Sequence, residues 1–243
     1  GILNGVNYEA WDPSRDRFIE ATYDAASWKT GKAQCKAALQ RELGLPVVPH
    51  HPLVGVIGRL ADQKGWNLVG DVMQRWVGQR DVQWAILGTG EEPYHRLLQR
   101  LSAQYPTKVA VRLEFSDPMA HHIEAGCDMF VMASRYEPCG LNQLYSLKYG
   151  SVPVVHRTGG LADTITDATP LTLANETANG FSFSTYDVDH FEERLSRACH
   201  MYEREPEQWQ RLVETGMNQD WSWNRSAQRY VELYSTILTQ KRG

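Results

Sequence analysis

The sequence lacks most of the features that would assign a chain to a special class. No stretch approaches the roughly 18 consecutive apolar residues of a membrane-spanning helix, and the mean hydropathy is -0.47, so a membrane is not expected as a partner. Cysteine is scarce: Cys35, Cys127, Cys139 and Cys199 are the four in 243 residues, and no two form a CxxC pair. That excludes a disulfide scaffold and the common zinc and redox spacings, and points to a reducing compartment. No excess of one charge exists either. The 25 Lys and Arg against 29 Asp and Glu leave a net charge of -4. The bases are spread along the chain, so it carries no electrostatic footprint for nucleic acid. The start, Gly1-Ile2-Leu3-Asn4, has no initiating Met, basic leader or Arg/Ser-rich transit stretch. The expectation is a piece of something longer.

What is present belongs to an ordinary globular protein, with 42% hydrophobic and 10% aromatic residues. Apolar runs rich in Val, Ile and Leu at 53–58, 82–87, 109–113, 128–132, 152–155 and 180–183 predict strands. Their near-continuous hydrophobicity suggests a sheet covered on both faces. Between them, 67–77, 91–104, 118–125 and 141–149 carry apolar residues at helical spacing. This alternation predicts a doubly wound α/β domain with a parallel, Rossmann-like sheet. Three helical stretches without intervening strands, 190–202, 207–215 and 223–238, form a C-terminal appendix. Residues 1–45 hold two turns and a helical run at 31–43, and are predicted as a lead-in arm.

In an open parallel sheet, ligands bind at the carboxyl ends of the strands, so each strand-to-helix turn is a candidate site. Three turns stand out. Gly58-Arg59-Leu60-Ala61-Asp62-Gln63-Lys64-Gly65 sets two cations beside glycines that admit a close ligand, which suits a diphosphate. The bland reading is a solvated loop with incidental charges. Ser134-Arg135-Tyr136-Glu137-Pro138-Cys139-Gly140 runs straight into a helix whose first amides suit an anion. It holds Glu137 at the crevice, where sugar hydroxyls would satisfy it. Alternatively Glu137 pairs with Arg135 or serves the helix dipole. Arg157-Thr158-Gly159-Gly160-Leu161-Ala162-Asp163-Thr164 is a Gly-Gly turn that would be a simple tight connection but for its place at the same end of the sheet.

Other patterns are weaker. Gly88-Thr89-Gly90 mimics a dinucleotide fingerprint, but Pro93 occupies its third glycine position. Asp187-Val188-Asp189 resembles a DxD metal motif, yet Asp189 with Glu192 also makes a capping-box-like helix start. His121 and His122 with Cys127 suggest a metal cluster, but adjacent helical residues point about 100° apart.

The quoted turns, in this order, resemble the starch synthase and bacterial glycogen synthase family. The likeness includes Gln143-Leu144-Tyr145, Lys29-Thr30-Gly31-Lys32, Cys35-Lys36 and Trp221-Ser222-Trp223, and covers essentially the whole chain. The resemblance implies the C-terminal, donor-binding lobe of a two-domain GT-B glycosyltransferase. Such an enzyme transfers glucose from ADP-glucose to the non-reducing end of an α-1,4-glucan, with retention and without a metal or cofactor. The partners implied are the nucleotide sugar, the α-glucan and the N-terminal lobe of the parent enzyme, in a bacterial cytoplasm or plastid stroma. Residues 1–45 would lead from the interdomain hinge, and 46–243 would form the nucleotide-sugar-binding domain with its C-terminal helices. The last helix, with its stripe Trp223, Ala227, Tyr230, Val231, Tyr234, Ile237 and Leu238, would return to the other lobe.

Carried over by residue, Arg59 and Lys64 would meet the donor diphosphate and Glu137 the donor glucose as catalytic groups. Backbone groups of Gly140, Leu141 and Asn142 would cradle phosphate, Thr158, Gly159 and Gly160 would line the pocket, Cys139 would be a further donor-binding residue, and Phe115 would lie against adenine. These elements are expected on adjacent strands. Asn142 stands where bacterial relatives often have Thr, Tyr136 where Phe is common, and His122 where Arg is usual. Tyr145 replaces the second acid of related families. Two rival readings remain at this point: a non-catalytic ADP-sugar or glucan-binding paralogue, and a nicotinamide-dependent oxidoreductase. The complete set Arg59, Lys64 and Glu137 weighs against the first, and Pro93 against the second.

Overall fold

Six buried apolar runs pair side by side in the computed structural model, which describes residues 1–240. They are β1 (Leu53–Ile57), β2 (Gln83–Leu87), β3 (Val109–Arg112), β4 (Met129–Met132), β5 (Val152–His156) and β6 (Phe181–Phe183). All neighbours are parallel, in the order β3-β2-β1-β4-β5-β6. This is the doubly wound Rossmann-like sheet expected from the sequence. The winding reverses between β1 and β4, which opens a crevice at their carboxyl ends.

The helices are α1 (Trp28–Glu42), α2 (Trp66–Trp76), α3 (Glu92–Gln104), α4 (Asp117–Gly126) and α5 (Asn142–Tyr149). They continue with α6 (Gly159–Thr164), α7 (Pro170–Ala174), α8 (Val188–Arg204), α9 (Pro206–Met217) and α10 (Trp223–Gln240). Because side chains alternate across a strand, Val54 and Val56 pack with α2, α3 and α8 on one face. Leu53, Ala85 and Phe130 pack with Leu39 of α1 and Ile123 of α4 on the other. Leu144 and Leu147 of α5 extend that second layer over Val155. The short helices α6 and α7 were not foreseen: they begin with Gly and Pro and last too few residues to show a period.

The first 45 residues do not stand off as a tether. Trp11 stacks on His121 and on Tyr145, with ring centroids 3.8 and 4.1 Å apart. Asp16 Oδ2 lies 2.7 Å from His121 Nδ1 and accepts the Tyr149 hydroxyl at 2.6 Å. Burial alone would raise the Asp16 pKa, but these hydrogen bonds outweigh it and hold the carboxyl below its ordinary value. Helix α1 packs along α4, and its Lys36 Nζ reaches Asp128 at 2.7 Å. The arm is therefore a layer of the domain.

The tail behaves differently. Helices α8 and α9 supply Phe191, Leu195, Trp209 and Leu212 to the core, whereas α10 leaves its apolar stripe open. Trp223, Val231, Tyr234, Ile237 and Leu238 are 43–64% exposed. Among the described residues no helix is long and apolar enough to cross a membrane.

Candidate functional site

The turn after β1 tightens into a single 3-10 turn, Asp62–Lys64, that ends at Gly65 with φ +82. A side chain there would strike the Ala133 carbonyl, 2.0 Å from an ideal Cβ. Glycine thus lets the β1 turn close onto the chain leaving β4. Two hydrogen bonds fasten the contact: Arg135 N to Gln63 O at 2.9 Å and Gln63 Nε2 to Tyr136 O at 2.8 Å.

This closure brings Lys64 Nζ to 2.6 Å from Glu137 Oε2, with side chains 29% and 11% exposed. Ser134 Oγ donates to the same oxygen at 3.1 Å. A carboxylate this far from water is costly unless paired, and here an ammonium and a hydroxyl meet it. Glu137 does not pair with Arg135. The Arg135 guanidinium instead lies 4.5 Å from the centroid of the Tyr186 ring.

The third turn serves the second. Gly160 N donates to Glu137 O at 3.0 Å. Ideal Cβ atoms on Gly159 (φ +43) and Gly160 would fall 2.1 Å from Glu137 O and 2.0 Å from Cys139 O. The Gly-Gly pair is there because two backbones touch, which fixes the Glu137 loop from behind.

A cavity of about 260 Å³ opens at this point, lined by Gly58, Lys64, Glu137, Gly140, Leu141 and Asn142 among others. Leu141 precedes α5 without a capping side chain, so the first-turn amides there suit an outside acceptor. Asn142 Nδ2 reaches Ile57 O at 3.4 Å. The structure thus brings together Lys64, Glu137, Gly140, Leu141 and Asn142, with Cys139, Thr158, Gly159 and Gly160 in the adjoining turns. Arg59, in the turn after β1, is exposed and outside this lining, its Nη2 3.1 Å from Gln63 Oε1.

Phe115 is not brought to this group. It is 93% exposed, on the turn after β3. The expected adjacency fails because β2 lies between β1 and β3. Two positioning groups escaped notice in the sequence, Ser134 and Gln63. Both lie inside the quoted turns, and the one local signal was a hydroxyl three residues before the acid.

The weaker patterns resolve into packing. The Gly88-Thr89-Gly90 turn is bonded to the β1 turn, Leu60 N to Thr89 O at 3.0 Å and Glu91 N to Leu60 O at 2.7 Å, and Pro93 lies in the first turn of α3. Asp187, not Asp189, caps α8, accepting His190 N at 2.8 Å, while Asp189 and Glu192 hold Arg75. His122, the position that departs from the family, lies with Nδ1 2.7 Å from Glu42 Oε2 and Nε2 2.7 Å from Phe18 O. Lys29-Thr30-Gly31 lies inside α1.

A larger cavity, about 640 Å³, opens at the amino ends of the strands between α1 and the α8–α9 corner. Its buried lysines are already engaged: Lys32 Nζ by Ala125 O and Ser151 Oγ, Lys36 Nζ by Asp128.

A switch-point crevice with a lysine, a carboxylate and an uncapped helix start is built to take an anionic ligand such as a phosphate group, as α/β folds of this winding do. The comparisons agree: residues 45–217 match the family described as glycosyl transferases group 1, and the chain belongs to it. Over all 243 residues it is 45% identical to a glycogen synthase of Rhodopirellula baltica, and over 237 residues 48% identical to one of Anaeromyxobacter dehalogenans. It spans 48% of each, about half the length of the curated relatives it matches. Among solved structures, the catalytic domain of starch synthase IV from Arabidopsis thaliana, bound to ADP and acarbose, is 37% identical with a TM-score of 0.89. That match covers 98% of this chain and 49% of that one. The GT-B glycosyltransferase fold extends to a sucrose-phosphate synthase of Thermosynechococcus elongatus, 17% identical with a TM-score of 0.64, a likeness of fold alone.

Proposed function

We propose that this chain is the donor-binding half of a retaining glucosyltransferase that moves glucose from ADP-glucose to the non-reducing end of an α-1,4-glucan. The observation that carries the reading is the Lys64–Glu137 pair at the β1–β4 crevice. The names of the relatives and the ADP in the starch synthase IV structure support the same assignment. The complete set Arg59, Lys64 and Glu137 weighs against a non-catalytic paralogue.

On this reading Arg59 and Lys64 meet the diphosphate and offset the charge growing on departing ADP. Arg59 and Lys64 supply the positive charge on this reading, which invokes no metal or cofactor. Glu137 faces the glucose, binding its hydroxyls and stabilising positive charge at the anomeric carbon. Amides at Gly140, Leu141 and Asn142 take phosphate oxygens, with Cys139, Thr158, Gly159 and Gly160 shaping the wall and Phe115 covering adenine. The other partners are the glucan and an N-terminal lobe, toward which the open stripe of α10 would face. A bacterial cytoplasm or plastid stroma goes with this chemistry.

The test is calorimetry on the 243-residue chain. ADP should bind and NAD should not. Lys64→Ala should weaken ADP by about tenfold or more, roughly one charge-assisted contact, and leave adenosine unchanged. Equal weakening of both ligands would remove Lys64 from the diphosphate. Transfer needs two walls that exclude water and align donor with acceptor, so the chain alone should incorporate no labelled glucose into glycogen. Incorporation at the rate of a two-lobed enzyme would overturn that division of labour.

A further inference from the structure

Lys64 is asked to do two things. Its ammonium lies 2.6 Å from Glu137 Oε2. On the proposed reading, on which this inference rests, the same ammonium meets the donor diphosphate. Two phosphates carry more charge than one carboxylate and draw the stronger contact from a compact, rotatable cation. Glu137 would then lose its counter-charge at the moment the sugar arrives.

We propose that Lys64 exchanges partners, leaving Glu137 for the diphosphate, and that Ser134 is the positioning residue that holds the freed carboxylate in place. Several observations separate Glu137 from Lys64 as far as support is concerned. Ser134 is 1% exposed and its Oγ donates to Oε2 at 3.1 Å. Its own carbonyl is fixed 2.8 Å from His156 Nδ1, beyond the end of β4. The Glu137 carbonyl is held by Gly160 N at 3.0 Å. Hydroxyl, ring and glycine turn all stay when the ammonium leaves.

Lys64 is also free to leave. Its side chain is 29% exposed, and among the described residues Glu137 is the one side-chain partner of its Nζ. The consequence is a carboxylate quenched by its own lysine when the site is empty and uncovered by the substrate it serves. Charge is then available at the anomeric carbon only when a donor occupies the crevice.

The exchange makes a prediction opposite in sign to ordinary loss of a contact. Glu137→Gln keeps the shape but releases Lys64 from competition. ADP affinity of the chain should therefore rise about tenfold, equivalent to about 1.4 kcal/mol, while adenosine affinity stays constant. In a Lys64→Ala background the gain should vanish, since a double-mutant cycle isolates the pair. Ser134→Ala should weaken ADP several-fold, because the freed carboxylate then has no partner. Ser134→Thr should restore the affinity, and in a Glu137→Gln background Ser134→Ala should have no effect.

Calorimetry with ADP and adenosine on folded variants, checked by circular dichroism, reads every arm. An unchanged or weaker ADP affinity in Glu137→Gln would overturn the exchange while leaving ADP binding itself intact. A Ser134→Ala loss that persists with Gln at 137 would remove Ser134 from the device. If the unaltered chain bound no ADP, the functional reading would fail and take the exchange with it. Should Glu137→Gln not fold, Glu137→Ala, which removes the competing carboxylate, replaces it with the same expected sign.

Discussion

Two lysine–carboxylate pairs sit at opposite ends of the same sheet. At the amino ends, Lys36 and Asp128 are 2.7 Å apart with side chains 7% and 10% exposed. Lys36 Nζ also reaches Pro49 O, His51 O and the Tyr202 hydroxyl at 2.9, 2.7 and 2.9 Å, and Asp128 Oδ2 accepts Leu53 N at 2.8 Å. Every proton of that ammonium is engaged. At the carboxyl ends, Lys64 and Glu137 are as close, but the lysine is open to a cavity and bound on one side only. The same chemical pair is structural where it is saturated and available for chemistry where it is not.

The sharpest way to break this comparison is to delete each lysine in turn. Lys36→Ala leaves Asp128 buried without its counter-charge and should cost about 3–5 kcal/mol of stability, measured by urea unfolding. A loss below 1 kcal/mol would show that Asp128 is not held as the geometry indicates. A third carboxyl, Glu124, sharpens the contrast because no cation among the described residues bonds it. Its Oε2 accepts Ser146 Oγ at 2.8 Å, its Oε1 has no partner, and burial pushes its pKa up to about 8 despite the nearby Lys32.

Because that pKa is raised on folding from the ordinary 4.5, the native state holds a proton that the unfolded state releases. The stability this contributes is fully present below about pH 4.5 and is lost as pH rises towards 8. The slope approaches about 1.4 kcal/mol per pH unit within that window. Glu124→Gln should flatten the slope. An unchanged pH profile would mean that another group carries it. The smallest effect belongs to the open pair. Lys64→Ala, with its partner still bonded by Ser134, should shift stability by about 1 kcal/mol or less, in the same unfolding assay that registers Lys36.

The sheet was legible because each strand is a buried apolar run, and all six lie where those runs stand, to within a residue or so at each end. The arm was less so. Lys32, Lys36 and Gln40 give the inner side of α1 the look of a solvated face. They are buried, and their partners come from residues far along the chain. The site was legible as three turns at strand ends, and family resemblance singled out Lys64 and Glu137. Their contact was not, because it spans 73 residues and depends on Gly65 letting two loops close. The place of Phe115 depends on strand order, which no local pattern encodes.

The saturated lysine also constrains how the domain is made. Tyr202, one of the groups around the Lys36 ammonium, lies 166 residues further along the chain. At synthesis rates of about 5–20 residues per second, α1 waits on the order of ten to thirty seconds for that partner. Until then the ammonium has Pro49 O, His51 O and Asp128 but not the Tyr202 hydroxyl. The polar inner face of α1 that obscured its place in the fold is thus a join between the two ends of the domain, closed by groups made long after the helix itself.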